Sequence, residues 1–111
     1  MEEHFNKLIS YFAGFGSKNL SQISENFSDD VSLKDWTGSW SGKEKTEEAI
    51  SSILLLDIYI VPREIRMSHQ TAGIVATCVI DIYVDRERTE AVDIIKMTNE
   101  GEIKSINAYK R

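Results

Sequence analysis

Apolar positions fall into two repeats along this chain, one helical and one alternating, and together they outline its elements. Residues 2 to 15 carry Phe5, Leu8, Ile9 and Phe12 at i, i+3, i+4 and i+7, with Phe15 continuing the stripe, which predicts an amphipathic helix closed by Gly14 and Gly16. Tyr11 falls about 95° from the centre of that stripe, on the border of the expected buried face. Asn19 is placed to cap a short second helix with Leu20, Ile23 and Phe27 inward, ended by Asp29-Asp30. In VSLKDW, Val31, Leu33 and Asp35 share one face of a strand, which is followed by a loop, Thr37-Gly38-Ser39-Trp40. Ser41 and Glu44 have capping-box spacing and predict a third helix with Ile50, Ile53 and Leu54 inward, ending near Asp57.

Alternation takes over from there. Val61-Pro62 suits a strand start, and Ile65, Met67 and His69 then share a face. Ile74, Ala76, Cys78, Ile80, Ile82 and Val84 form one face of the longest strand, so Cys78 reads as an inert core thiol. The other face, Val75, Thr77, Val79, Asp81 and Tyr83, is apolar enough to suggest a second covered surface. Arg88 to Lys110 reads as two strands around the turn Asn99-Glu100-Gly101, with Ile103 and Ile106 in the second. Helices followed by mostly antiparallel strands, with one strand between helices two and three, give an α+β architecture in which helices pack on one face of a curved sheet.

Composition narrows the function. At 111 residues the chain is expected to be one domain, 1–111. A net charge of -5 argues against nucleic acid and anionic membrane surfaces as partners. A lone cysteine, with only His4 and His69 as imidazoles, leaves no disulfide and no zinc cluster, and fits a reducing, cytoplasmic setting. The acidic start MEEHFNKL lacks the features of a signal peptide, and the longest apolar run, Ile53 to Leu56, is too short to cross a bilayer. No cofactor or metal is expected.

Asp93 is the informative anomaly. Alternation puts it on one face with Ala91, Ile95 and Met97, and an ionised carboxylate buried among apolar neighbours must pair or take up a proton. Val92 and Ile94 make the opposite face apolar too, so burial and exposure of Asp93 stand level. Asp35 is a second acid on an apolar face, unless the strand ends there and leaves it to the loop. Tyr11 is either a packing residue with its hydroxyl in water or a donor aimed into a cavity. If the three converge, one carboxyl as base and two donors for a developing oxyanion suit proton abstraction next to a carbonyl.

The segments NFSDDVSLKDW and VDIIKMTNEGEIKSINAY, with the glycine before the third helix, resemble the cone-shaped NTF2-like (cystatin-like) superfamily, in particular its SnoaL-like and ketosteroid isomerase branch. The resemblance covers nearly the whole chain. It implies that Asp35 matches the base, and that Tyr11 and Asp93 match the two oxyanion donors, with Asp93 held neutral. An apolar pocket is expected, with Phe15, Trp36, Ala76, Cys78, Ile80, Ala91, Ile95, Met97 and Ile106 as its lining, and the apolar outer sheet face predicts a homodimer through Val75, Val79, Tyr83, Val92 and Ile94. The chain departs from the isomerase pattern at Phe27 and Ile50, where tyrosines can extend the donor network, at Lys110, where an aromatic lines the cavity, and at Trp36, where proline usually follows the base. The expected function is therefore an isomerase-like enzyme acting on a small apolar ligand. The alternatives are a non-catalytic binding or dimerisation module, and a SnoaL-like polyketide cyclase.

Overall fold

The computed structural model describes residues 1–111 and contains three helices and six strands: α1 (Glu2–Gly16), α2 (Leu20–Ser24), β1 (Phe27–Asp35), β2 (Gly38–Ser41), α3 (Lys43–Ile53), β3 (Ile58–Gln70), β4 (Gly73–Val84), β5 (Glu87–Met97) and β6 (Ile103–Lys110). The strands form one sheet in the order β2-β1-β6-β5-β4-β3. All neighbours are antiparallel except β1 and β6, which run parallel. Two strands, rather than the one expected, lie between α2 and α3.

Extra residues at three places break the ladders and bend the sheet. Arg63 is the additional residue where β3 passes β4, Lys104 where β6 passes β5, and between the two matched stretches of β1 and β6 four residues of β1 stand opposite one of β6. The bulge at Lys104 explains why Ile103 and Ile106, three apart and so out of strict alternation, are both buried. Pro62 lies inside β3, which therefore starts four residues before the predicted boundary. It is tolerated because β3 is a sheet edge. At the β4–β5 hairpin Asp85 and Arg86 take φ of 51° and 71°, the backbone of a turn that follows the twist of its strands.

Helix α1 packs a stripe that differs from the predicted one. Leu8, Tyr11, Phe12 and Phe15 have the same i, i+3, i+4, i+7 spacing, and they are the buried side, while Phe5 and Ile9 remain 40% and 38% exposed. Anchors at the helix start fix this rotation: His4 Nε2 donates to the Thr98 carbonyl (3.1 Å) and Lys7 Nζ to that of Glu100 (3.2 Å). Asn19 caps α2 as expected, with Oδ1 accepting from the Gln22 N–H at 3.0 Å. Phe27 belongs to β1 rather than α2, and Asp29-Asp30 lie within that strand as exposed residues. The capping box at Ser41 does not form, because Ser41 ends β2 and Gly42, at φ 91°, begins α3. That helix ends at Ile53.

The core joins Leu8 and Phe12 to Val31, Ala76, Cys78, Ala91, Ile95, Met97, Ile103 and Ile106 on the inner sheet face. Each large side chain removed from water there contributes roughly 1.5–3 kcal/mol. Asp93 is on this same face, which decides between the two orientations left open by alternation. On the outer face Val75, Val79, Tyr83, Val92 and Ile94 are half-buried, and Tyr83 stacks on Tyr59 at 4.6 Å and 9°. Asp81, also on that face, is 2% exposed and is satisfied by Arg63 Nη1 at 2.5 Å and Arg88 Nε at 3.1 Å. No helix is long and apolar enough to cross a membrane.

Candidate functional site

Between the inner sheet face and the helices lies a cavity of about 700 Å³. Leu33 and Asp35 from β1, Trp40 from β2, Ile58 and Ile60 from β3, Ile80, Ile82 and Val84 from β4, Asp93 from β5, and Ile106 and Ala108 from β6 form its sheet side. Tyr11 and Phe15 reach it from α1. Lys45, Glu48, Ala49, Ser52 and Ile53, at helical three- and four-residue steps, reach it from α3. Tyr11, Asp35 and Asp93, drawn from three separated elements, therefore share one apolar chamber.

Tyr11 is a centre of packing, not a border residue, with 4% of its surface exposed. Its ring meets Phe12 and Phe15 edge-on at 5.0 Å and 5.4 Å and tilts against Phe27 at 6.2 Å. Burial first, then the charges of Asp93, Cys78 and Asp35, push its hydroxyl well above the usual phenol range. The hydroxyl is thus a committed donor. Phe27, where a tyrosine could have hydrogen-bonded to it, offers only a ring.

Asp93 is 5% exposed, and its Oδ1 is buried without a hydrogen-bond partner in the protein. Burial, followed by the charge of Asp35, pushes its carboxyl up to about 7. Its cross-strand neighbour Cys78 is pushed to about 12 by burial and then by Asp93 itself, so that thiol stays protonated. A carboxyl without a partner inside an apolar chamber is neutral below that value and can donate. Any ligand oxygen that reaches it supplies the missing hydrogen bond.

Asp35 is the last residue of β1 and is half-buried. Its Oδ1 accepts from Thr37 N–H (2.7 Å), Thr37 Oγ1 (2.6 Å) and Gly38 N–H (3.1 Å). Both sequence readings of this acid therefore hold: it ends its strand and anchors the turn into β2, and it still lines the cavity. All three bonds go to one oxygen, leaving Oδ2 without a partner in the protein.

Of the expected lining, Phe15, Trp36, Ile80 and Ile106 face the cavity, whereas Ala76, Cys78, Ala91, Ile95 and Met97 do not. Those five are buried in the core: Cys78, Ala91 and Ile95 lie beside the lining residues Asp93, Ile80 and Ile106 in the strand ladders, but their side chains are packed against neighbours and do not reach the free volume. The opening is displaced instead toward Ile58, Ile60, Ile82, Val84 and α3. The alternation of β4 already carried Ile82 and Val84 on the right face. The helical stripe through Lys45, Glu48 and Ser52, and Thr37 and Trp40 of the hairpin, had no such signal. Lys110, matched by resemblance to a cavity aromatic, is exposed and away from the chamber.

No protein-family model and no curated protein matches the chain. Solved structures do. An NTF2-like protein of unknown function from Cytophaga hutchinsonii aligns with TM-score 0.76 and 13% identity over 97% of this chain and 89% of that one. The epoxide hydrolase/cyclase-like enzyme SalBIII, of pyran ring formation in the polyether salinomycin, aligns with TM-score 0.80 and 17% identity over 99% and 92%. A ketosteroid isomerase-like protein from Kribbella flavida aligns with TM-score 0.82 and 11% identity over 99% and 78%. Fold is what similarity at these identities establishes: the chain has the α+β NTF2-like, or cystatin-like, fold, with helices packed on a curved, mostly antiparallel sheet.

Proposed function

We propose that the cavity binds a small, mostly apolar carbonyl compound and moves a proton on the carbon next to its carbonyl, without a cofactor. The observation that supports this most is the buried, unpartnered Oδ1 of Asp93 together with the buried Tyr11, both on the wall of one apolar chamber. In this reading Asp35 Oδ2 takes the α-proton, and the electron pair of the broken C–H bond moves onto the carbonyl oxygen. Tyr11 and protonated Asp93 donate hydrogen bonds to that developing oxyanion, and Asp35 returns the proton at another carbon. The donors are worth more here than in water because Tyr11 and Asp93 are themselves buried among apolar side chains, where the local dielectric is low.

A second reading, a non-catalytic ligand-binding module, is favoured by one observation: the three hydrogen bonds to Asp35 Oδ1 give that residue a complete structural role in the hairpin. A cyclase reaction, by analogy with SalBIII, uses the same acids on a different ligand. We assign the half-buried outer face of Val75, Val79, Tyr83, Val92 and Ile94 to a homodimer, which a monomer by light scattering at micromolar concentration would contradict.

Binding of a fluorescent naphthol, whose oxyanion imitates an enolate, to the wild type and Tyr11→Phe tests the site. Affinity is expected to fall about tenfold in the variant, the loss of one hydrogen bond to a charged oxygen. Equal affinity removes Tyr11 from the site. A screen of β,γ-unsaturated ketones with wild type and Asp35→Asn then separates the two readings, since turnover lost with ligand binding kept is the signature of a base.

A further inference from the structure

The chamber carries a charge balance that a ketone does not use. Its walls hold three carboxylates, Asp35, Glu48 and Asp93, against one cation, Lys45, together with the rings of Tyr11, Phe15, Trp36 and Trp40. Lys45 and Glu48 are on the exposed rim of α3, whereas Asp93 is inside, with an oxygen that nothing in the protein satisfies. An ionised carboxylate in such a place lacks both a counter-charge and donors, and an ammonium group provides both. Aromatic faces attract the same group. We propose that the cavity also takes an apolar primary amine, its ammonium against the Asp93 carboxylate and its hydrocarbon body against the isoleucine walls.

The groups facing Asp93 make it the one that decides. Tyr11 from α1 and Cys78 from β4 both stay protonated through neutrality, the thiol being pushed to about 12 and the phenol well above its usual range by burial. Asp35 from β1 adds negative charge that favours a cation, and the rim pair Lys45 and Glu48 offset each other in sign. A carbonyl ligand needs Asp93 protonated, whereas an ammonium needs it ionised. One side chain thus selects opposite ligand classes on the two sides of a pH of about 7.

Three probes with one hydrocarbon body test this: 1-adamantylamine, 1-adamantanol and adamantane-1-carboxylate. Their binding is read from the emission of Trp36 and Trp40, the 2 tryptophans of the chain, both of which line the cavity. The ratio of amine to alcohol affinity is expected to rise about tenfold between about pH 6 and about pH 8, following the ionised fraction of Asp93, with the carboxylate weakest at the higher pH. In Asp93→Asn the ratio is expected to be independent of pH. A wild-type ratio that does not change with pH, or a rise that persists in Asp93→Asn, overturns the assignment. If the variant does not bind the alcohol, the wild-type ratio decides alone. Failure of the amine leaves the carbonyl reading intact, because that reading uses the protonated form.

Discussion

Replacing Asp93 with asparagine should make the protein more stable, and increasingly so as pH rises. The carboxyl sits at about 7 in the native protein against 3.8 as the ordinary value, a gap of about three pH units. Between these values the unfolded chain carries an ionised Asp93 and the native protein a protonated one. The native state then holds the extra proton, and stability falls by about 1.4 kcal/mol per pH unit through the window. Below the window both states are protonated and nothing is lost; above it the full cost of burying the charge, ~4 kcal/mol, is present. That is a large share of the roughly 5–15 kcal/mol that holds a domain together. The amide introduced by Asp93→Asn carries no charge at any pH. Urea unfolding of both proteins from about pH 5 to about pH 8 should show the variant gaining ~2.5 kcal/mol on the wild type and levelling off above neutrality. All other titrating groups are common to the pair and cancel. Parallel stability curves would refute the burial argument, and a wild type that gains on the variant would reverse its sign.

Tyr11→Phe should leave stability unchanged or raise it by up to ~1 kcal/mol in thermal or urea unfolding, because the hydroxyl has no protein partner to lose; a clear destabilisation would reveal a hydrogen bond inside the resting fold. Asp35→Ala removes the acceptor of three hydrogen bonds and should cost ~1–2 kcal/mol, with Asp35→Asn costing about half as much since an amide oxygen still accepts; equal costs would show that the turn does not depend on that oxygen. Gly73→Ala should cost ~2–3 kcal/mol, because φ is +151° and a Cβ would lie 2.0 Å from the Met97 carbonyl oxygen; a thermal midpoint unchanged from wild type would contradict that close approach.

What could be read from the sequence depended on how far its physics is local. The alternation in Ile74 to Val84 fixed the inner face of β4 because a strand exposed on one side repeats every two residues, and the Asn19 cap is a contact three residues long. In α1 two overlapping stripes satisfied the same helical rule. Both contain Leu8, Phe12 and Phe15, and the choice between Phe5/Ile9 and Tyr11 was made by Thr98 and Glu100, more than ninety residues away. The capping-box spacing at Ser41 lost to the pairing of Ser41 with Ser32, a tertiary demand that the motif does not encode. Tyr11, Asp35 and Asp93 stood out by their positions on or beside apolar faces, and the resemblance gave them roles, but that they share a cavity depends on tertiary packing, and the extent of the cavity toward α3 had no signature in any single segment.

The order of strands also sets an order of events. β6, the sixth strand in chain order, lies between β1 and β5, so the β1–β2 hairpin that carries Asp35 has no partner in the rest of the sheet until residues 103–110 are available. While the chain is being synthesised, β3, β4 and β5 can zip into a meander through local hairpins before β1 and β2 are joined to it. Only the final eight-residue strand joins the two halves, at the entropic expense of closing a loop that spans most of the chain. Losing that strand would therefore not trim the site but split it, leaving its two acids on pieces that no longer share a sheet.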